Sequence, residues 1–235
     1  MLLLIMEKNR LIHEIYDRLF EFFGPQRWWP GETVEEIIIG AVLTQNTSWK
    51  NVEKAIRNLK QNNALSLKAI TNLPRQTLAE LIKPSGYFNI KEKRLRSVAE
   101  YLAPFSGNNF KHLRKSPLAD VRRELLNVHG VGRETADSIL LYSLERPIFV
   151  VDAYTLRFGK RHGLFEEKSA YDEVRILFEN ALGEDIPKFN EYHALIVMLG
   201  KDYCRKRPRC GECPLAKKKY FLNERIPPEI APYLF

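Results

Sequence analysis

The segment Leu125-Leu126-Asn127-Val128-His129-Gly130-Val131-Gly132-Arg133-Glu134-Thr135-Ala136-Asp137-Ser138-Ile139-Leu140 constrains the fold of this chain more than any other stretch. It reads as a helix, a tight hairpin with two glycines around one apolar residue, and a second helix, followed by Val150-Val151-Asp152. The glycines allow a sharp turn and let amide N–H groups converge where the second helix starts. Amides and helix dipole together hold an anion, such as a phosphate, at such a point. In the second helix Ala136, Ile139 and Leu140 are expected to form the buried stripe, with Glu134 and Asp137 off it, so that Glu134 can face a cleft.

The remaining sequence carries helical periodicity and no long alternating run, which predicts an all-α fold. Thr33 and Glu36 stand at capping-box spacing, and Val34, Ile37, Ile38, Ala41 and Val42 then share one helical face. A further helix is expected after Ser48, with Val52, Ala55, Ile56 and Leu59 as its stripe. Pro74, Pro84-Ser85-Gly86, Pro104 to Gly107 and Ser116-Pro117 divide the chain between that helix and the hairpin into short helices. With 235 residues, 45% of them apolar, the chain can bury a substantial core in one or two domains. The 37 Lys and Arg against 29 Asp and Glu leave a formal charge of +8, which suits a polyanionic partner. The apolar start Met1 to Met6 ends at Glu7-Lys8, short of the roughly 20 residues that span a bilayer, and has no leader or cleavage signature. A cytoplasmic protein with no membrane association is expected. Three cysteines crowded at Cys204, Cys210 and Cys213 argue for metal chemistry rather than a disulfide scaffold.

The hairpin with its trailing aspartate resembles the helix-hairpin-helix DNA glycosylases related to endonuclease III. The resemblance implies a six-helix domain at residues 32–143 and a second helical domain formed by residues 1–31 and 144–235. The cysteine loop at 204–213 lies in the second domain, and DNA is expected in a cleft between the two. Asp152 falls where that family keeps its catalytic aspartate. Glu134 stands where bifunctional members carry the lyase lysine, and a carboxylate cannot form a Schiff base with a sugar aldehyde. Trp28-Trp29-Pro30, Trp49 after Thr44-Gln45-Asn46-Thr47, and Glu134-Thr135-Ala136-Asp137 are closest to the bacterial 3-methyladenine branch, which implies a base pocket at Trp28, Trp29, Pro30 and Trp49. The resemblance also implies DNA contacts at Gln45, Asn46, Tyr87, Lys91, Gly130, Gly132 and Arg133. Gln45 is the expected plug for the space left by an extruded nucleotide, and Tyr87 the second wedge.

Each residue has a plainer reading beside this one. Asp152 precedes Ala153-Tyr154-Thr155-Leu156 and would serve as a helix N-cap, while Glu134 would complement a helix dipole. Tryptophans are more often core than base-stacking surface. The cysteines resemble the loop that holds a [4Fe-4S] cluster, but the fourth position falls near Lys219. An incomplete cluster, zinc or no metal at all remain open. The reading that results is a monofunctional, monomeric glycosylase acting on duplex DNA with alkylated purines such as 3-methyladenine. Asp152 is its catalytic carboxylate and Glu134 an accessory acid. The alternatives are an endonuclease III-like enzyme for oxidised pyrimidines or mismatched thymine, uracil or hypoxanthine, and a helix-hairpin-helix DNA-binding protein without catalysis.

Overall fold

The computed structural model describes residues 2–107, 110–222, 228–229 and 231–233. Met1, part of the apolar start, lies outside them. Among the described residues there are twelve α-helices and no strand, so the all-α expectation holds. Among the described residues no helix is long and apolar enough to cross a membrane. The chain divides into one unit at Trp29–Arg146 and another made of Met1–Trp28 and Pro147–Phe235.

The unit at Trp29–Arg146 is built around α2 (Val34–Leu43). Sequence spacing predicts one apolar face, but Ile38 to Leu43 are all buried, while Val34 and Ile37 are only half-buried. The difference arises because α2 packs against α3 (Trp49–Gln61), α6 (Phe88–Leu102), α9 (Arg133–Ser138) and the turn after it, which enclose it on several sides. Its start is capped by Thr33, whose Oγ1 accepts the Glu36 N–H at 3.1 Å. The box does not close, since the Glu36 carboxylate turns to the Glu32 N–H and to Lys60. In α3 the buried residues are Val52, Ala55, Ile56 and Leu59, the stripe expected from spacing, with Val52, Ile56 and Leu59 each contributing roughly 1.5–3 kcal/mol by burial. Ser66, Pro74 and Pro117 set off the short helices α4 (Leu67–Asn72), α5 (Arg75–Ile82) and α8 (Leu118–Asn127), and α7 (Phe110–Lys115) lies before the last. Among the described residues the unit holds eight α-helices, α2 to α9, joined by short single-turn segments.

The hairpin joins α8 to α9, and α9 runs into a π-helical turn at Ile139–Ser143 that no local sequence signal announces. Asp137 corrects another expectation. Rather than lying off the buried stripe, it is fully buried and accepts two bonds from Arg122 of α8, at 2.7 and 3.1 Å. A carboxylate on the inner face is tolerated because a planar guanidinium meets both its oxygens.

In the other unit α1 (Leu2–Phe23) buries Leu11, Ile12, Ile15 and Leu19 and packs on α11 (Tyr171–Leu182) and α12 (Ile186–Asp202). Phe149 stacks on Phe178 at 4.4 Å between ring centroids, and Tyr192 donates its hydroxyl to Ile12 O. Helix α10 (Ala153–Arg161) packs along α12.

Candidate functional site

Gly130 sits at φ +81°, and an added Cβ would collide with the aliphatic stem of Arg94, so both backbone conformation and space demand glycine there. Gly132 is the N-cap of α9, and its missing side chain faces open space. Arg133 and Glu134 in the first turn of α9 are exposed. The hairpin is held from behind by Gln45. Its Nε2 donates to Gly130 O at 3.1 Å and Thr135 Oγ1 at 2.9 Å, and its Oε1 accepts from Arg94. The resemblance predicts that Gln45 projects into a duplex, yet both ends of its amide are engaged within the protein. The neighbouring Asn46 is exposed, at φ +53°.

Tyr87 is 69% exposed and also left-handed, at φ +48°, directly after Gly86 at φ +71°. A bulky residue in that region stores about 1–3 kcal/mol of strain and marks a position fixed by its surroundings. Lys91, expected at the DNA surface, is instead 1% exposed. Its Nζ donates to Leu43 O at 2.8 Å and Ser85 O at 2.6 Å, and burial, with Arg94 nearby, lowers its pKa to about 8.

The aromatic candidates separate. Trp29 stacks on Tyr142 at 4.9 Å and meets Trp49 edge-on at 5.0 Å. Both indoles press on Gly40, where a Cβ would lie 3.4 Å from Trp29 Nε1. Trp28 belongs to the other unit and lies under Lys201, with Nζ 5.7 Å from its ring centroid. Pro30 is exposed. Sequence reasoning missed Tyr142 and Gly40. A glycine inside a buried helix costs about 1 kcal/mol against alanine and was a readable sign of close ring approach.

Asp152 caps α10. Its Oδ1 accepts the Thr155 N–H at 2.7 Å and the Thr155 hydroxyl at 2.9 Å, and His193 Nε2 of α12 lies 3.5 Å from Oδ2. Burial alone would push the carboxyl up. The contact with His193 and the two Thr155 bonds outweigh it and hold the group below the ordinary carboxylate value. An ionised oxygen in a largely dry site can stabilise developing positive charge or accept a proton from water.

Cys204, Cys210 and Cys213, with Arg161, His162 and Phe221, line a cavity of about 20 Å³. The donor set lacks its fourth member: Lys219 directs Nζ over the Tyr220 ring, 4.8 Å from its centroid. Among the described residues no three His, Cys, Asp or Glu side chains converge to hold a metal ion. Arginines bind the loop instead. Arg157 Nε donates to Cys204 O at 2.6 Å, and Arg161 reaches Cys204 Sγ, Arg205 O and Lys206 O. The residues present do not fit a four-thiolate cluster.

Residues 39–184 match the family described as the HhH-GPD superfamily base excision DNA repair protein. A Methanocaldococcus jannaschii chain provisionally named a DNA repair glycosylase is 48% identical, over 93% of this chain and 100% of its own length. The solved Helicobacter pylori 3-methyladenine DNA glycosylase bound to 1,N6-ethenoadenine is similar with a TM-score of 0.71 and 30% identity, covering 81% of this chain and 97% of that one. An endonuclease III–DNA complex has a TM-score of 0.73 at 21% identity, covering 88% of this chain and 93% of that chain, a likeness of fold.

Proposed function

The chain belongs to the HhH-GPD superfamily of base excision DNA repair proteins and is a DNA glycosylase, and on that premise we propose that it is a monofunctional, monomeric enzyme that hydrolyses alkylated purines such as 3-methyladenine from duplex DNA. The observation that carries this reading is an ionised, buried Asp152 in a chain whose hairpin helix presents Glu134 and no amine in its first turn. Cleavage of the glycosidic bond builds positive charge on the sugar, which Asp152 stabilises, and the same carboxylate activates the water that completes hydrolysis. Lys91, four residues after Tyr87, is buried with its ammonium bonded to two carbonyls, so this lysine does not offer a free amine for a Schiff base.

Trp29, Trp49 and Tyr142 receive the base. Alkylation at N3 or N7 leaves a purine cationic, and stacking on electron-rich rings then gains roughly 0.5–2 kcal/mol. The ethenoadenine-bound relative supports a purine lesion. Asn46 and Tyr87 enter the duplex as the base leaves the stack, while Gln45 braces the hairpin behind them. Gly130, Gly132 and Arg133 hold the strand.

A panel of single-lesion duplexes tests this. Those containing 3-methyladenine, 7-methylguanine or ethenoadenine are expected to release free base, with strand breaks only after alkali. The retained cysteines favour a second reading, an endonuclease III-like or mismatch enzyme. Turnover confined to thymine glycol, uracil, thymine or hypoxanthine would replace the first reading with that one. A borohydride-trapped adduct would overturn the monofunctional assignment.

A further inference from the structure

We propose that Lys91 is a positioning residue that sets the register of the two duplex-entering loops, a role that rests on Asn46 and Tyr87 being the residues that enter. Leu43 is the last residue of α2, three before Asn46, and Ser85 ends the turn Lys83–Ser85, two before Tyr87. One ammonium bonds both carbonyls, at 2.8 and 2.6 Å. The two loops therefore depart from a common atom. Short charge-assisted bonds of this kind are stronger and more directional than neutral ones.

An apolar side chain would fill the same space without the cost of burying a cation. What the lysine adds is a joint between segments 48 and 6 residues distant in sequence from it. The surroundings make that joint stiff: Ser85 is fully buried, with its hydroxyl donating to Ile82 O at 2.7 Å. The positive charge also lies at the C-terminal end of α2, where the dipole favours it. Downstream of each anchor a non-glycine residue is held left-handed, Asn46 at φ +53° and Tyr87 at φ +48°. Strained tips persist only where the chain around them is fixed.

The test uses the full chain and a duplex with a tetrahydrofuran abasic analogue opposite 2-aminopurine, so the readout does not depend on which lesion is cut. Wild-type protein is expected to raise 2-aminopurine emission on binding, and Asn46→Ala and Tyr87→Ala each to reduce that rise about threefold or more. Lys91→Met is expected to reproduce the loss while duplex affinity changes less than about threefold. Hydrogen exchange should quicken about tenfold at residues 44–47 and 86–88 and stay unchanged in α3 and α8. Lys91→Gln, which keeps N–H donors on a shorter and uncharged side chain, should fall between. Wild-type emission and loop protection in Lys91→Met would overturn the proposal, as would exchange that rises evenly across Trp29–Arg146 or failure of both variants to fold. Wild-type emission in Asn46→Ala and Tyr87→Ala would instead remove the insertion reading, and the proposal with it. The first failure is read at Lys91 and the second at the loop tips.

Discussion

Asparagine at position 152 separates two roles that aspartate combines. It caps a helix about as well as aspartate, so Asp152→Asn should leave α10 in place and shift thermal stability by only a few tenths of a kcal/mol. It removes the charge, and base release under single-turnover conditions should fall on the order of 100-fold or more, with duplex affinity largely kept. Asp152→Ala should lose the same activity and roughly 1 kcal/mol of stability besides. Wild-type turnover in Asp152→Asn would take the carboxylate out of the reaction. Lys91 gives a second test at this scale. Burial lowers its pKa from 10.5 to about 8 in the folded chain. Between those values the unfolded chain binds the more protons, so this residue makes stability rise with pH, and the penalty is in full force below about pH 8. Urea titrations from pH 7 to 10.5 should show that rise in wild type and its loss in Lys91→Met; equal slopes would mean that the ammonium is solvated.

The hairpin and the cysteine loop are both held by arginine, and each makes a prediction about elements. The fork from Arg122 to Asp137 ties α8 to α9 across the turn. Removing one partner of such a buried pair typically costs 3–5 kcal/mol, so Asp137→Ala should destabilise the Trp29–Arg146 unit by about that much. Chemical denaturation measures it, and a change under 1 kcal/mol would show that Arg122 finds water instead. In the other unit Arg157 and Arg161, one turn apart on α10, hold Gly200, Cys204, Arg205 and Lys206. Arg161→Ala is therefore expected to speed hydrogen exchange in the 204–213 loop more than triple replacement of Cys204, Cys210 and Cys213 by serine. Collapse of the loop in the triple variant alone, together with visible absorption lost from the wild type, would assign the loop to a bound iron–sulfur centre.

For the molecule as a whole, helix content and the hairpin are legible in the sequence because periodicity and glycine placement are local properties. The stripe of α3 and the cap at Asp152 can be read from spacing alone. Partners distant in sequence decide the rest: spacing points Asp137 outward because nothing local announces Arg122, and the bonds of Gln45 to Gly130 and Thr135 span 85 and 90 residues, so no local pattern announces them. Lys91 looks like a surface residue for the same reason, and this bears on how the charge of +8 is used. Lys91, Arg96, Arg122, Arg157 and Arg161 spend their donors on carbonyls, a carboxylate or a thiol inside their own units. They add to the net charge and to the long-range field, while the donors they spend inside the protein are not offered to phosphate. A duplex held through about five phosphates would give log K falling with log salt at a slope near −4.5. Arg133, exposed beside the hairpin, should carry one of those contacts, so Arg133→Ala should flatten the slope by about 0.9, whereas Lys91→Met should leave it unchanged despite losing the same formal charge. Binding isotherms on an abasic-analogue duplex between about 50 and 200 mM salt measure both slopes. Equal flattening in the two variants would mean that net charge, rather than the placement of individual cations, governs the encounter with DNA.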